Sequence, residues 1–333
     1  MRLRAAILGG GSWGTTVASL VARNVPAVIW ARAAETVDEI NRLHSNERYL
    51  PGAKLTTGLR ATHSIEEAVR DADVVVLGVP SQAMRETARE VAKHIRAWVP
   101  IISLSKGLEQ GTRLRMTQII GEELPGHPAG VLTGPNLAKE IMSGYAAASV
   151  LAMEDEVIVR ELQSVFKSGL LRTYTNTDVV GCELGGALKN VMAIAAGMGD
   201  GLGAGENTRS AVITRALAEI TRLGVAMGGR AETFAGLTGM GDLIATCTSP
   251  QSRNRTVGFE LGQGRKIADV LSGMRQVAEG VKSSRTVLQL GETFGVEMPI
   301  ASEVNGVINE GRSAQDAFRG LLRRSAGWES DPG

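Results

Sequence analysis

The segment AAILGGGSWG, from Ala5 to Gly14, gives the strongest indication of the fold of this chain. It joins a short apolar run, predicted to be a strand, to a GxGxxG pattern formed by Gly9, Gly11 and Gly14. The residues that follow have helical character. Strand, glycine turn and helix in this order are typical of a dinucleotide-binding βαβ unit. In such a unit the first glycine allows a tight turn, the second admits a pyrophosphate and the third lets helix and strand pack closely.

Short apolar runs alternate with amphipathic segments as far as about Thr175, which predicts βαβ units and a parallel sheet. The pairs Thr36 with Glu39 and Ser64 with Glu67 have capping-box spacing and predict two helix starts. Besides the run at 5–8, the predicted strands lie at 27–30, 74–79, 101–104, 131–133 and 150–153.

The second half of the chain changes character and is rich in Ala, Leu, Met and Gly, which predicts helices. Leu184, Leu188, Val191 and Ala195 form one apolar helical stripe. Glycines at 181, 185 and 186 in the same helix predict close packing against another backbone. The predicted fold is α/β, with a Rossmann-like domain and mostly parallel sheet over residues 1–176 and an all-α domain over 177–333.

Composition excludes several classes of protein. The 36 Lys and Arg residues balance 35 Asp and Glu residues, which argues against binding to nucleic acid or to an anionic membrane. No run approaches the ~18 apolar residues of a membrane span. Cys182 and Cys247 form no disulfide framework and lack metal-ligand spacing, so we expect no metal and a reducing cytoplasm. Glycine is in surplus, at 41 of 333 residues.

Three basic residues are candidate functional residues because of their positions in the predicted strands and helices. Arg32 follows the second predicted strand, where an NAD-selective site carries Asp or Glu, and it suits a 2′-phosphate or adenine stacking. Lys106 lies at the carboxyl end of a predicted strand, where open α/β sheets bind ligands. Lys189 lies mid-helix among small residues, and burial there would lower its pKa toward a useful range for acid–base chemistry. Each taken alone is also compatible with an ordinary surface residue.

Eight blocks of sequence, spread over nearly the whole chain, follow the order of one known family. On these blocks the chain resembles the NAD(P)-dependent glycerol-3-phosphate dehydrogenases of the bacterial biosynthetic type. The blocks are GGGSWGT (9–15), RYLPG (48–52), SKGLE (105–109), LTGPNLAKE (132–140), YTNTDVVGCELGGALKN (174–190), GLTGMGDLIATCTS (236–249), SRNRTVG (252–258) and VAEGV (277–281).

The resemblance implies a Rossmann domain, a helical domain similar to that of 6-phosphogluconate dehydrogenase, and a substrate site in the cleft between them. It assigns catalytic roles to Lys189, Lys106, Asp242, Asn190 and Thr246. It assigns substrate binding to Lys106, Gly134, Asn136, Lys189, Asp242, Ser252, Arg253 and Asn254. It assigns cofactor binding to Gly9, Gly11, Ser12, Trp13, Gly14, Arg32, Lys106, Ala138, Arg253, Val277 and Glu279. Asn136 and Ala33 depart from residues common in the family, which bears on a substrate contact and on the strength of NADP preference.

The implied reaction is reduction of dihydroxyacetone phosphate to sn-glycerol 3-phosphate for glycerophospholipid synthesis, with NADP(H) or NAD(H), by a cytoplasmic homodimer. Lys189 as an ammonium would stabilise the developing alkoxide and then protonate it, with Asp242 orienting it. Arg253 would offer paired donors to the substrate phosphate.

Two alternatives remain at this point. One is another two-domain dehydrogenase, acting on a 3-hydroxyacid or a UDP-sugar. The 3-hydroxyacid type has no use for a phosphate pair at Arg253 and Asn254, and the UDP-sugar type needs an activated cysteine that the surroundings of Cys182 do not supply. The other is a non-catalytic NAD(P)-sensing module, which has no need of Lys189 or Asp242.

Overall fold

A computed structural model describes residues 3–274 and 278–322, and the chain forms two compact units. The first contains the described residues up to Ser105 together with Leu114–Val179. The second contains Lys106–Arg113 and the described residues from Val180 onward. The short segment Lys106–Arg113 therefore groups with the helical unit, although it lies within the N-terminal part of the chain.

The first unit is built on an eight-stranded sheet with strand order β3-β2-β1-β4-β5-β6-β7-β8. Neighbouring strands pair in parallel, except β6 with β7, which are antiparallel. This confirms the Rossmann-like, mostly parallel sheet expected from the sequence. The strands are β1 (Ala5–Leu8), β2 (Ala27–Trp30), β3 (Leu59–Thr62), β4 (Val74–Leu77), β5 (Ile101–Ser103), β6 (Ala129–Thr133), β7 (Ala147–Met153) and β8 (Leu171–Asn176).

Helices cover both faces of this sheet. Alternate residues of the central strands enter two separate apolar cores, with Ile7 and Val76 in one and Leu8 and Leu77 in the other. Burial on both faces explains why the central strands are continuous apolar runs without alternation. The helices are α1 (Ser12–Val21), α2 (Ala34–Leu43), α3 (Ile65–Val69), α4 (Met84–Ala92), α5 (Met116–Glu123), α6 (Ala138–Met142) and α7 (Glu156–Phe166), with a 3₁₀ turn at Ser81–Ala83.

All six strands predicted from apolar runs are present, and two further strands were missed. The missed strands, β3 and β8, form the two edges of the sheet. β8 alternates buried and exposed residues, and its sequence, LRTYTN, is largely polar. An edge strand with one face toward water needs no apolar run, so the pattern that revealed the central strands is lacking there.

The two predicted helix starts had different outcomes. Ser64 caps α3 as expected, because its side chain accepts a hydrogen bond from the backbone N–H of Glu67. The prediction at Thr36 was wrong. α2 begins at Ala34, and Thr36 lies buried in its first turn.

The second unit is helical, as predicted. Its central helix is α8, in which every residue from 181 to 199 is buried. The predicted stripe of Leu184, Leu188, Val191 and Ala195 is thus only part of a helix enclosed on all sides. The helices are α8 (Val179–Gly201), α9 (Glu206–Ala226), α10 (Ala231–Phe234), α11 (Asp242–Thr248), α12 (Arg253–Gly262), α13 (Ile267–Ser272), α14 (Glu279–Phe294), α15 (Pro299–Asn309) and α16 (Ala314–Leu322), with a π turn at Leu237–Gly241.

α8 is also long and apolar enough to cross a membrane by composition alone. In the described part of the chain it is the one helix of this kind, and 94% of its most apolar window is buried inside the protein. That burial identifies it as the core helix of its unit. Its backbone touches that of α12, since a Cβ on Gly197 would lie 2.1 Å from the carbonyl oxygen of Arg255.

Candidate active site

Two lysines share one buried carboxylate in the second unit. Lys189 Nζ lies 2.5 Å from Asp242 Oδ1, and Lys106 Nζ lies 2.7 Å from Asp242 Oδ2. Lys189 also donates to Thr246 Oγ1 at 2.5 Å, and that hydroxyl donates to the Asp242 carbonyl oxygen at 2.6 Å. The side chains of Lys189 and Asp242 are 5% and 2% exposed, whereas that of Lys106 is 18% exposed. Four predicted catalytic residues therefore meet in one cluster.

The local fold explains why Asp242 reaches Lys189. A Cβ on Gly185 would lie 2.5 Å from the carbonyl oxygen of Thr238, so only glycine lets the π turn at Leu237–Gly241 approach α8 so closely. Lys189 lies one helical turn beyond Gly185 on the same face. Asp242 begins α11 directly after the π turn and meets the lysine there. This confirms, at Gly185, the close backbone packing expected from the sequence.

Burial sets the electrostatics of the cluster. Desolvation lowers the pKa of Lys189 from its ordinary value to about 8; Asp242 opposes this shift, and Lys106 adds to it. Because two ammonium groups share a single carboxylate, the cluster keeps a net positive charge. Such a site favours an anionic ligand and holds a lysine close to its proton-transfer range at neutral pH.

A chain of buried amides links the cluster to other segments of the second unit. Asn190 Nδ2 donates to the carbonyl oxygen of Lys106 at 2.9 Å, and Asn254 Nδ2 donates to Asn190 Oδ1 at 2.9 Å. Asn254 Oδ1 in turn accepts from the backbone N–H of Gly280 at 3.0 Å. The chain thus ties together the 106–113 segment, α8, α12 and the start of α14.

The predicted phosphate residues lie at the beginning of α12. Ser252 caps this helix, with its Oγ accepting from the backbone N–H of Arg255 at 3.2 Å. Arg253 keeps access to solvent, yet enclosure of its guanidinium lowers its pKa, while the charge of Glu279 acts in the opposite direction. Glu279 is the first residue of α14 and directly precedes Gly280. Val277, the other predicted cofactor residue of this segment, lies outside the described residues.

The glycine loop of the first unit fits a dinucleotide. Gly9 has a φ of +136°, and a Cβ there would lie 2.3 Å from the Gly78 carbonyl oxygen. A Cβ on Gly14 would lie 2.1 Å from the Gly9 carbonyl oxygen. At Gly11, by contrast, a Cβ would meet no described atom within 4 Å. The protein's own packing thus explains Gly9 and Gly14, while the open side of Gly11 leaves room for a ligand.

The start of α1 adds donors to this loop. Gly11 is the cap residue and has no side chain, so the first backbone N–H groups of the helix are not covered by one. Ser12 is held by its Oγ, which donates to the carbonyl oxygen of Tyr49 at 3.0 Å. Trp13 Nε1 is buried and has no hydrogen-bond partner among the described residues. Arg32 is exposed just beyond β2.

Three more predicted residues follow β6 in the first unit. Gly134 has a φ of +128°. Asn136 Nδ2 donates to Ser149 Oγ at 2.5 Å, and within the described ranges its buried Oδ1 has no partner. Ala138 is the first residue of α6. The Asn136 oxygen is therefore an acceptor that the fold leaves unused.

Sequence reasoning missed two residues next to the predicted sites. Gly280 is required by packing, because a Cβ there would lie 2.4 Å from the Asn190 carbonyl oxygen. Its signal was its position directly after Glu279 in the VAEGV block. Asn46, which is fully buried against the glycine loop, precedes the RYLPG block and has no motif of its own.

The two cysteines and the possible metal ligands were considered as further functional groups. Both cysteines are buried, and burial raises the pKa of the Cys247 thiol to about 12. That thiol therefore stays protonated at neutral pH and is a poor nucleophile. Within residues 3–274 and 278–322, no group of three or more His, Cys, Asp or Glu side chains is placed to hold a metal ion.

Two family models cover most of the chain. Residues 4–159 match the N-terminal model of NAD-dependent glycerol-3-phosphate dehydrogenase, and residues 178–319 match the C-terminal model of the same family. A similar solved structure is that of glycerol-3-phosphate dehydrogenase from Coxiella burnetii, with a TM-score of 0.92 and 35% identity. That match covers 97% of this chain and 99% of the other.

Curated relatives are similar over the full length. A glycerol-3-phosphate dehydrogenase of the NAD(P)+ type from Sphingopyxis alaskensis is 63% identical over 333 residues, covering 100% of both chains. One from Mycobacterium tuberculosis is 56% identical over 324 residues, covering 97% of this chain and 95% of the relative. Motif order, fold and full-length similarity agree, and this chain belongs to the family of NAD(P)-dependent glycerol-3-phosphate dehydrogenases.

Proposed function

We propose that this dehydrogenase works mainly in the reductive direction, converting dihydroxyacetone phosphate to sn-glycerol 3-phosphate for glycerophospholipid synthesis. The observation that carries the proposal is the buried cluster in which Lys189 and Lys106 share Asp242. It combines a net positive charge, suited to a phosphate ester, with a lysine whose pKa is lowered to about 8.

Lys189 is the proposed proton donor in this reaction. As an ammonium it stabilises the negative charge that develops on the substrate carbonyl oxygen, and it then delivers the proton. Asp242 and Thr246 hold the ammonium in one orientation through their two short contacts. Lys106, more exposed and bonded to the other carboxylate oxygen, is placed to meet the substrate and to lower the Lys189 pKa by like-charge repulsion.

The substrate phosphate is proposed to bind at the start of α12. Arg253 offers planar paired donors to a phosphate dianion, and Ser252 and Asn254 flank it in the chain. Binding the phosphate away from the reacting carbonyl lets that binding energy orient the carbonyl. Gly134 and Asn136 are proposed as further substrate contacts, the latter through its unpartnered Oδ1.

The glycine loop is proposed to hold the pyrophosphate of the cofactor. Gly9, Gly11 and Gly14 shape the loop, and the first backbone N–H groups of α1, at Ser12 and Trp13, face the anion. Arg32 would bind the 2′-phosphate of NADP. Ala138, Lys106, Arg253, Val277 and Glu279 complete the proposed set. When bound, the nicotinamide cofactor supplies the hydride.

We further propose that the enzyme is a homodimer and that it acts in the cytoplasm. Two buried thiols and no disulfide between them are compatible with a reducing compartment.

Steady-state assays test the substrate proposal directly. Oxidation of NADPH and NADH is followed with dihydroxyacetone phosphate and, as controls, with 3-oxoacids that lack a phosphate. We expect turnover with dihydroxyacetone phosphate at kcat/KM at least about 100-fold above any 3-oxoacid, since unpaired polar groups in the phosphate site penalise the controls. Equal rates with a 3-oxoacid would contradict the phosphate assignment.

The same assays test the proposed role of Arg32. In Arg32→Ala, kcat/KM for NADPH should fall by about 10- to 100-fold, the effect of losing charge-assisted hydrogen bonds, while the value for NADH changes less than about threefold. A parallel loss with both cofactors would instead indicate stacking on adenine.

A further inference from the structure

The turn at residues 46–50 lies against the glycine loop. Asn46 is 0% exposed, and its Nδ2 donates to the carbonyl oxygen of Gly10 at 3.0 Å and to Thr15 Oγ1 at 2.9 Å. Gly10 belongs to the loop, and Thr15 lies in the first turn of α1. A single carboxamide therefore joins the loop to the helix that it leads into.

A second hydrogen bond connects the same turn to α1. Ser12 Oγ donates to the carbonyl oxygen of Tyr49 at 3.0 Å. The backbone N–H groups of Tyr49 and Leu50 both donate to the Asn46 carbonyl oxygen, at 3.1 and 2.8 Å. The contacts made by Asn46 and by Tyr49 thus come from opposite ends of one closed turn.

Residues 45 and 47 also attach this turn to α2. Glu39 Oε1 accepts from Ser45 Oγ at 2.8 Å and from the backbone N–H of Glu47 at 2.7 Å. Asn46 lies between these two donors. Its position is therefore fixed from the helix side as well as from the loop side.

Stability alone does not account for an amide at this position. Asn46 Oδ1 is buried and lacks a hydrogen-bond partner in the part of the chain that the structure describes. A buried polar atom without a partner is destabilising, and an apolar side chain of similar size would avoid that penalty. Because Nδ2 already faces two acceptors, a flipped amide would direct its oxygen at the carbonyl of Gly10. The orientation is set by the loop.

We propose that Asn46 is a positioning residue for cofactor binding. Glycine-rich backbone is flexible, and ordering it on binding costs affinity unless it is held beforehand. By fixing Gly10 and the first turn of α1, Asn46 keeps the N–H groups after Gly11 directed at the incoming pyrophosphate. This inference rests on the role proposed above for the glycine loop.

The test is a fluorescence titration of NADPH onto Asn46→Leu and Asn46→Asp, neither of which can donate both hydrogen bonds. The Kd for NADPH should rise about tenfold, the equivalent of one or two net hydrogen bonds, while kcat at saturating NADPH and KM for dihydroxyacetone phosphate stay within about twofold. If Asn46 only stabilised the fold, its replacement would change kcat and KM along with the Kd for NADPH.

Asn24→Leu is the matched control. Asn24 Nδ2 also donates to two backbone carbonyls of the first unit, those of Val165 and Lys167, but Asn24 lies beyond the C-terminal end of α1, at the opposite end of that helix from the glycine loop. Its Kd for NADPH should equal that of the unaltered protein. An unchanged Kd in the folded Asn46 variants, or an equal rise in Asn24→Leu, would overturn the proposal. The titration needs no substrate, so its outcome is independent of whether dihydroxyacetone phosphate is reduced.

Discussion

Among single residues, the proposed proton transfer depends on how Lys189 is solvated. An exposed lysine stays protonated far above neutral pH and is a slow proton donor. In α8 the side chain is 5% exposed, and desolvation outweighs the attraction of Asp242, so the pKa falls to about 8. The neighbouring Lys106 adds to this fall by like-charge repulsion.

This pKa predicts the pH dependence of the enzyme in both directions. Reduction requires the ammonium form, so kcat/KM for dihydroxyacetone phosphate should be flat between about pH 7 and 8 and fall about tenfold per pH unit above that. Oxidation of sn-glycerol 3-phosphate requires the neutral amine and should rise up to about pH 8. The measurement is kcat/KM from about pH 7 to 10 at saturating cofactor, a range in which the phosphates of substrate and cofactor are mostly dianionic. A profile that stays flat to about pH 10, as for an exposed lysine, would refute the assignment, and the Kd for NADPH measured over the same range shows whether cofactor binding also titrates.

Among the elements, the contact between α8 and the π turn determines whether Lys189 and Asp242, the proposed catalytic pair, can meet. The π turn at Leu237–Gly241 brings Asp242 to α8. The turn can approach α8 this closely because Gly185 has no side chain. π turns of this kind are rare and occur often at functional sites. The position of Asp242 is thus set by helix packing several residues away.

The variant Gly185→Ala tests this link. Its new Cβ would lie 2.5 Å from the Thr238 carbonyl oxygen, so the π turn must shift. We expect a loss of stability of about 1–3 kcal/mol, seen as a lower Tm, and a kcat reduced about tenfold or more through displacement of Asp242.

Gly199→Ala in the same helix is the matched control. A Cβ there would lie 3.8 Å from its nearest neighbour, Ala204 Cβ, which is ordinary contact. Because alanine favours a helix over glycine, Tm should hold or rise slightly, and kcat should be unchanged. If Gly185→Ala behaved like this control, the proposed coupling would fail.

In the whole molecule, the two units contain different groups of the proposed functional residues. The glycine loop and Arg32 lie in the first unit, and the lysine cluster lies in the second. The segment Lys106–Arg113 belongs to the second unit, although it lies in the N-terminal part of the chain. Its Lys106 is the second lysine of the cluster. The surplus of glycine serves both units, since several glycines mark places where backbones touch.

This division predicts separable defects. Lys189→Met keeps most of the side-chain volume but removes the proposed proton donor, so kcat should fall by about 100-fold or more. Lys189 is not among the proposed cofactor residues, so the Kd for NADPH should stay within about twofold. Stopped-flow turnover and fluorescence titration on the same preparation give both values. A large change in NADPH affinity would show that Lys189 itself takes part in cofactor binding.

Several features of this protein can be predicted from short stretches of its sequence. The glycine loop after β1 predicted the dinucleotide fold, the apolar runs located every central strand, and the ordered blocks pointed to the family. These features are local, because strand, turn and glycine requirements act over a few neighbouring residues. The edge strands β3 and β8 were not predicted, because strands at the edges of a sheet can have polar sequences without an apolar run.

The assembly of the candidate site depends on the packing of segments that are distant in sequence. Lys106 and Lys189 meet Asp242 across sequence separations of 136 and 53 residues, and the lowered pKa of Lys189 exists only because the helical unit closes around it. The amide chain through Asn190 and Asn254 and the support of the glycine loop by Asn46 are equally invisible in any local pattern. Burial and hydrogen-bond partners depend on which distant segments pack together, and no short stretch of sequence contains that information.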